Sequence, residues 1–460
     1  MISIKNMKYS VTAFAFVVTA MNATAQQSSV KLLSLPDCIH IALERSTAVL
    51  KGNNNVAYAG TQVLATYGQY LPNLIAAGGY NYDRGNNFYS SSGPALVNEN
   101  RSQFNYQLTS SINLFTGYYN YSSWKAAKLN QDISNLTVEL AKQQIELDIT
   151  QSYLQVILDK KIIALDSSNL STSLKREDQL TALNEVGRKP KTDLYQQQAQ
   201  TSSNKLLLIN AISHMQNDKI LLLQKLRIDS TDNYDILDMA IDDNADAARY
   251  GNGDALVQEA LQNRIDLKSA TLNTQLADWN TKKYTSGYLP QVSLAGGIYN
   301  NGAYFNTLSV NGENMQPGSQ PNIPTQLYKY TYGLVGINAV WNIFDKYYTK
   351  TSVAGAKIVA DNARIDLQDT KTGVVSNIRQ AHNDYHNAVQ QMETVGVGYT
   401  AAQKAFEAVN GQYKEGATDF ITEANAQLVL LQAAQNKISA SINMMLQKKI
   451  IDFYVGAIKN

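Results

Sequence analysis

The chain says the same thing twice. YLPNLIAAGGYN at residues 70–81 returns as YLPQVSLAGGIYN at 288–300, and each time the glycine pair (Gly78-Gly79, Gly296-Gly297) stands six and seven residues past the proline. Ala42-Leu43 returns as Ala260-Leu261 at the same offset of 218. Asn113-Leu114-Phe115 returns as Asn342-Ile343-Phe344, and Gly187 as Gly416, at an offset of 229. Self-similarity at a fixed long period sets the frame for any fold. One unit of roughly 220 residues is used twice, at about 33–230 and about 254–450, within a single domain over 26–460. The offset grows by eleven between the glycines and the Asn-x-Phe, so copy two carries eleven extra residues. They belong in the Gly/Asn/Pro-rich stretch 301–328, whose counterpart is 83–99; both are read as exposed polar loops.

The first 25 residues stand apart. Lys5 and Lys8 precede an apolar run from Val11 to Ala20, and Ala23-Thr24-Ala25 gives the small-x-small pattern of a secretory cleavage site. Without that leader the chain has 37 basic against 38 acidic residues, from 39 and 38 in the whole, a net charge of −1. A nucleic-acid partner, which needs a basic face, is not expected. The single cysteine, Cys38, excludes an intrachain disulfide. It lies thirteen residues past Ala25, behind Leu35-Pro36-Asp37, which is no setting for a lipid anchor. No mature stretch approaches eighteen apolar residues, so membrane entry, if it occurs, must use β-strands.

Each unit has one order: a long helix, a strand, a polar loop, a strand, then a very long helix pair. Of eight prolines, none lies between Pro94 and Pro190, between Pro190 and Pro290, or after Pro324. Such breaker-free stretches suit long helices. Over 126–186, two apolar stripes run along the pattern: Leu129, Ile133, Leu136, Leu140 on one, Val138, Ile145, Ile149, Val156 on the other. Two stripes give a helix neighbours on both sides, as in a ring of helices; a two-helix stalk is the other reading. The strands alternate. Phe104, Tyr106, Leu108, Ile112 and Leu114 share one phase, while Gln103, Asn105, Gln107, Thr109, Ser111 and Asn113 fill the other. In copy two Val335, Ile337, Ala339, Trp341 and Ile343 repeat the apolar phase. Leu74, Ala76, Gly78 and Tyr80 likewise match Val292, Leu294, Gly296 and Ile298. This is the pattern of a transmembrane β-barrel, and also of a half-buried soluble sheet. The leader, the rod-like helices and 28 tyrosines against 10 phenylalanines favour the barrel. Four strands cannot close a barrel, which needs about eight, and an open edge is not tolerated in lipid. Such a chain must oligomerise.

These features, in this order, resemble the TolC-like outer-membrane efflux family across essentially the whole mature chain. The resemblance is carried by LSLPDCIHIALERS at 33–46, its echo LVQEALQNRIDL at 256–267, the two YLP segments, and the turns VGRKPKTDL at 186–194 and YKEGATDFITEANAQ at 413–427. It implies a mixed α and β membrane protein. In this family a homotrimer forms a 12-stranded β-barrel, four strands per chain, in outer-membrane lipid, continued by a long periplasmic α-helical barrel. It implies the passive exit duct of a tripartite efflux pump, with a periplasmic adaptor (membrane fusion) protein and an inner-membrane transporter as partners. A type I protein-secretion channel has the same architecture, and a periplasmic coiled-coil scaffold without a pore is the alternative from a different class.

The resemblance also implies a periplasmic gate at the two turns. Thr192 and Asp193 match the family's Thr-Asp after the first turn, and Tyr413 its tyrosine before the second glycine. Asp419 and Glu423 supply acidity near the second turn. Thr418 stands where some relatives carry arginine, and Asn425 where many carry the aspartate of an entrance ring. The expected latch is an Asp193–Tyr413 hydrogen bond; Asp193 as a plain helix cap is the competing reading. No enzyme, metal or cofactor is expected. His382 and His386, with Asp384 between them, have helix-face spacing but no third ligand, and His40 and His214 are isolated. Asp242-Asp243 with Asp246 lacks the glycine and glutamate of a calcium loop. Gly251-x-Gly253 has no phosphate-binding context.

Overall fold

The computed structural model describes residues 31–89, 95–229, 234–240, 246–316 and 318–457. The leader at 1–25 lies outside them, as do Asp242 and Asp243. The first half runs β1 (Lys31–Leu33), α1 (Leu35–Arg45), α2 (Thr47–Gly68), β2 (Ile75–Tyr89), β3 (Ala95–Phe115), α3 (Tyr119–Glu185) and α4 (Lys191–Leu226). Then come β4 (Tyr234–Ile236), α5 (Ala247–Tyr250), α6 (Gly253–Asn263), α7 (Ile265–Thr285), β5 (Gln291–Val310), β6 (Glu313–Met315), α8 (Ile323–Lys329), β7 (Thr331–Val340), α9 (Tyr348–Lys414) and α10 (Phe420–Val455). Adding 218 to the bounds of α1 gives those of α6. Adding 229 to the bounds of α3 and α4 gives those of α9 and α10.

The long helix expected before each first strand is two helices. Ser46 leaves helical geometry (φ −62°, ψ 125°), and its Oγ accepts from the Ala48 N–H at 3.2 Å, starting α2 afresh. Arg264 makes the same break (φ −60°, ψ 130°) between α6 and α7. Neither break needs a proline or glycine. Beyond α2, Tyr70-Leu71-Pro72 is turn, and beyond α7 a 3-10 turn at Ser286–Tyr288 leads through Leu289-Pro290 into β5. Proline there removes a ladder donor and forces the preceding residue extended, which is how helix becomes strand.

The stretches read as loops at 83–99 and 301–328 contain strand at 83–89, 95–99, 301–310 and 313–315. β2 runs to Tyr89 and β3 starts at Ala95, with Asp83 opposite Arg101 and Asn86 opposite Asn98. β5 continues to Val310 and turns at Asn311 (φ 51°) and Gly312 (φ 89°) into β6. Two successive positive-φ residues, Asn-Gly, are the signature of a tight hairpin. Within copy two's eleven extra residues and their surroundings, the chain forms β6 and α8.

Four strands lie side by side in the order β2-β3-β5-β7, all antiparallel, with β6 on β5 beside β7. The expected phases fall on common faces. Ala76, Leu108, Ile298 and Gly333 form one cross-sheet row, and Ile112, Leu294 and Ile337 another. The opposite face carries Gln107, Asn105, Asn113, Ser293 and Asn338. Gly297 permits close strand approach: a Cβ there would stand 2.8 Å from Leu108 O. β7 ends at Val340, so Trp341 and Ile343 lie just past it, where the Trp341 indole N–H donates to Tyr288 O at 3.1 Å.

α3 and α9, 67 residues each, are rods on the order of 100 Å at about 1.5 Å per residue. α3 packs against α2, α4, α7 and α10, so it has neighbours on more than one side. The stem has two apolar cores. One gathers Cys38, Ala42, Ile149, Tyr153, Ile157 and Leu222; the other gathers Leu256, Ala260, Ile378, Tyr385, Ile451 and Val455. Each fully buried large aliphatic chain contributes about 1.5–3 kcal/mol. Cys38 is wholly buried, and burial pushes its thiol up to about 12, so it is packing and not a reactive group.

Candidate functional site at the hairpin tips

The helix pairs turn at Gly187 and Gly416, both at φ 73°. In each turn the chain closes a left-handed C-terminal cap: Arg188 N–H donates to Leu183 O and Ala417 N–H to Gln412 O, both at 2.8 Å. Only glycine takes that φ without strain. The returning helices start differently. Asp419 caps α10, its Oδ1 accepting from the Thr422 N–H at 2.7 Å, and this bond holds its carboxyl below the usual range. α4 starts behind Pro190 with no side-chain cap, so Asp193 sits in its first turn without the capping role.

The structure brings two of the six expected gate residues together. Glu423 is fully buried, and its Oε2 accepts from Arg176 Nη1 at 2.6 Å. Arg176 stands on α3, so the ion pair ties one hairpin to the other. Its guanidinium lies 5.4 Å from the centre of the Tyr413 ring, and the Lys189 ammonium lies 4.4 Å from the same centre. Phe420 meets that ring edge-on at 6.2 Å. Gln427 extends the tie, accepting weakly from Arg176 at 3.4 Å and donating to Asn169 at 2.9 Å. The Tyr413 hydroxyl and Glu423 Oε1 are buried without a hydrogen-bond partner within the protomer. The expected Asp193–Tyr413 bond is therefore not made inside one chain. Thr192, Asp419 and Asn425 are exposed at the tip, and Asp193 is half-buried there.

Arg176 was missed from the sequence, although a signal exists. Ser173 and Leu180, three before and four after it, are buried, so Arg176 lies on a helix face turned inward. The hairpin interior beside it is polar too: Asn204 donates to Ser173 Oγ, and Gln197 Nε2 to Ser173 O at 3.2 Å. Hydrogen bonds add to apolar packing at this end.

His382 and His386 lie at the edge of the second core, where the 229 offset puts Tyr153 and Ile157 in the first. Their rings meet edge-on at 4.5 Å, and a Cβ at Gly253 would lie 3.2 Å from the His382 ring. Among the described residues no group of three His, Cys, Asp or Glu side chains is placed to hold a metal ion.

A sequence model described as "Outer membrane efflux protein" matches residues 256–450. The outer membrane protein TolC of Vibrio cholerae is 21% identical over 381 residues, 82% of this chain and 80% of that protein. Over residues 256–450 the chain is similar to the outer-membrane efflux proteins. Solved outer-membrane proteins share its fold. The outer membrane protein VceC of Vibrio cholerae superposes with a TM-score of 0.76 at 14% identity, covering 92% of this chain and 96% of that one. The CmeC outer membrane channel of Campylobacter jejuni gives 0.71 at 16%, over 92% and 85%. The MtrE outer membrane channel of Neisseria gonorrhoeae, in its open state, gives 0.69 at 15%, over 92% and 88%.

Proposed function

We propose that this chain, after loss of its leader, is the outer-membrane exit duct of an efflux system, conducting small molecules passively from the periplasm to the outside. Three copies would each supply β2, β3, β5 and β7 to a twelve-stranded barrel, and their helices would continue it as a tube across the periplasm. The chain would then be one unit duplicated, the two halves standing as neighbouring staves. Energy would come from an inner-membrane transporter joined through a periplasmic adaptor.

One observation carries this reading. The sheet has one apolar and one polar face, and every residue of its edge strand β7 is exposed. No helix among the described residues is long and apolar enough to cross a membrane. A sheet of that kind suits lipid outside and water inside, provided its edges are paired. The tip residues Thr192, Asp193, Tyr413, Asp419, Glu423 and Asn425, with Arg176 added, are proposed as the resting gate. Similarity to the outer-membrane efflux proteins supports a channel without catalysis.

Planar-bilayer recording tests the duct. Purified protein should give discrete conductance steps that need no nucleotide. A folded, membrane-inserted protein with no steps in wild type or in tip-loosened variants would favour the pore-free scaffold.

A further inference from the structure

The upper flank of β5 is closed by its own chain. β7 reaches only to Thr331, opposite Asn300, while β5 continues ten residues further. At Ala303, Gln326 Oε1 accepts from the backbone N–H at 3.0 Å and Nε2 donates to the carbonyl at 2.9 Å. At Phe305, Gln320 does the same at 2.7 and 3.0 Å. Two glutamine amides thus replace the next strand at alternate residues, and β6 covers Leu308–Val310. What remains open on this side of the sheet is β7. On the other side it is β2, which among the described residues pairs only with β3.

The pairing already present inside the chain states how these two edges fit. Under the offsets of 218 and 229, the β2–β3 pair Ile75–Thr109 maps onto Ser293–Asn338, which is a pair of β5 and β7. The hairpins are therefore built in one register. The remaining junction, β3 against β5, has Leu108 opposite Ile298, Tyr106 opposite Asn300 and Ser110 opposite Gly296. Carried forward by the same offsets, it sets β7 against β2.

We propose that the free edge of β7 pairs antiparallel with β2 of a second copy in the register that places Ile337 opposite Tyr80, Val335 opposite Tyr82 and Ala339 opposite Gly78. This rests on the shared barrel proposed above and adds its seam. The register is chemically consistent. Ile337, Val335 and Ala339 share a face with Leu294, Gly296 and Val292, so the apolar face runs on unbroken through Tyr80 and Tyr82. Every seam glycine meets a residue with a side chain: Gly336 meets Asn81, Gly79 meets Asn338, and Gly85 meets Tyr332. Shifting by one residue would turn the apolar set of β7 to the polar face. The glutamine clasp stops the seam at its upper end, because β5 above Thr331 has no edge left to offer.

Cysteine pairs read the register directly. Only directly opposed residues come within disulfide reach, and diagonal neighbours do not. The double variant Tyr80→Cys, Ile337→Cys should, on mild oxidation in detergent, give covalently joined subunits at least about tenfold more than Gly78→Cys, Ile337→Cys or Tyr82→Cys, Ile337→Cys. The native Cys38 is wholly buried and contributes no background. Light scattering before oxidation reports assembly independently. Trimeric particles that cross-link best through 78 or 82, or through none of the three, overturn the register and leave the shared barrel standing. Folded monomers in all variants and wild type overturn the shared barrel itself.

Discussion

Arg176 and Glu423 form the tie on which the tip arrangement turns. An ion pair this buried is not by itself a source of net stability, but removing one partner strands the other charge and costs about 3–5 kcal/mol. Arg176→Ala should loosen the two hairpins at their ends, raising resting conductance and lowering the melting temperature. Adding Glu423→Gln should recover part of the melting loss, because no unpaired charge then remains. A double-mutant cycle of melting temperatures shows this as non-additivity. Strictly additive losses, with unchanged conductance, would mean that the pair is not a clasp. In the sequence the resemblance points to Tyr413, and Glu423 reads as acidity near the second turn. Arg176 was not legible, because a cation eleven residues from the turn looks solvated until its buried partner on α10, far away in the sequence, is known.

Helix lengths were legible because proline is absent where α3, α4, α9 and α10 run, and the turns were legible because Gly187 and Gly416 recur. The breaks at Ser46 and Arg264 were not. LERSTAVL keeps helical periodicity across Ser46, and one extended residue with a side-chain cap leaves no compositional trace. The hairpin arms at 83–99 were missed for a related reason: Asp83, Gly85, Asn86 and Asn87 have turn propensities, which cross-strand pairing overrides. Between α3 and α4 the structure also sets Asp159 beside Asp218, near His214. Burial first, then the Asp218 hydrogen bond and charge, push Asp159 up to about 7. Folded protein then holds a proton that the unfolded chain, with an ordinary carboxyl near 3.9, releases earlier. The pair's contribution to stability is present below that ordinary value and is lost as pH rises toward 7. The melting temperature should therefore fall between pH 5 and pH 8, and Asp159→Asn should flatten the fall and raise the value at pH 8. A variant that follows the wild-type curve would remove Asp159 from the account.

At the scale of the molecule, the sequence already held the reason to propose assembly: two alternating hairpins give four strands, and four strands leave two edges. What it could not show is that the chain closes part of one edge for itself with Gln320 and Gln326, since side-chain to backbone bonds between distant segments have no period to betray them. The sheet that remains has an apolar face ending in bare strand on both sides, which neither water nor lipid satisfies. Pairing with further copies, as proposed above, would close it. The mass of the folded, detergent-solubilised particle, measured by light scattering with the detergent contribution subtracted, is the direct test. Three chains, dissociating to one on heating, is the result this account predicts. A folded particle of a single chain, still inserting into lipid bilayers, would contradict it.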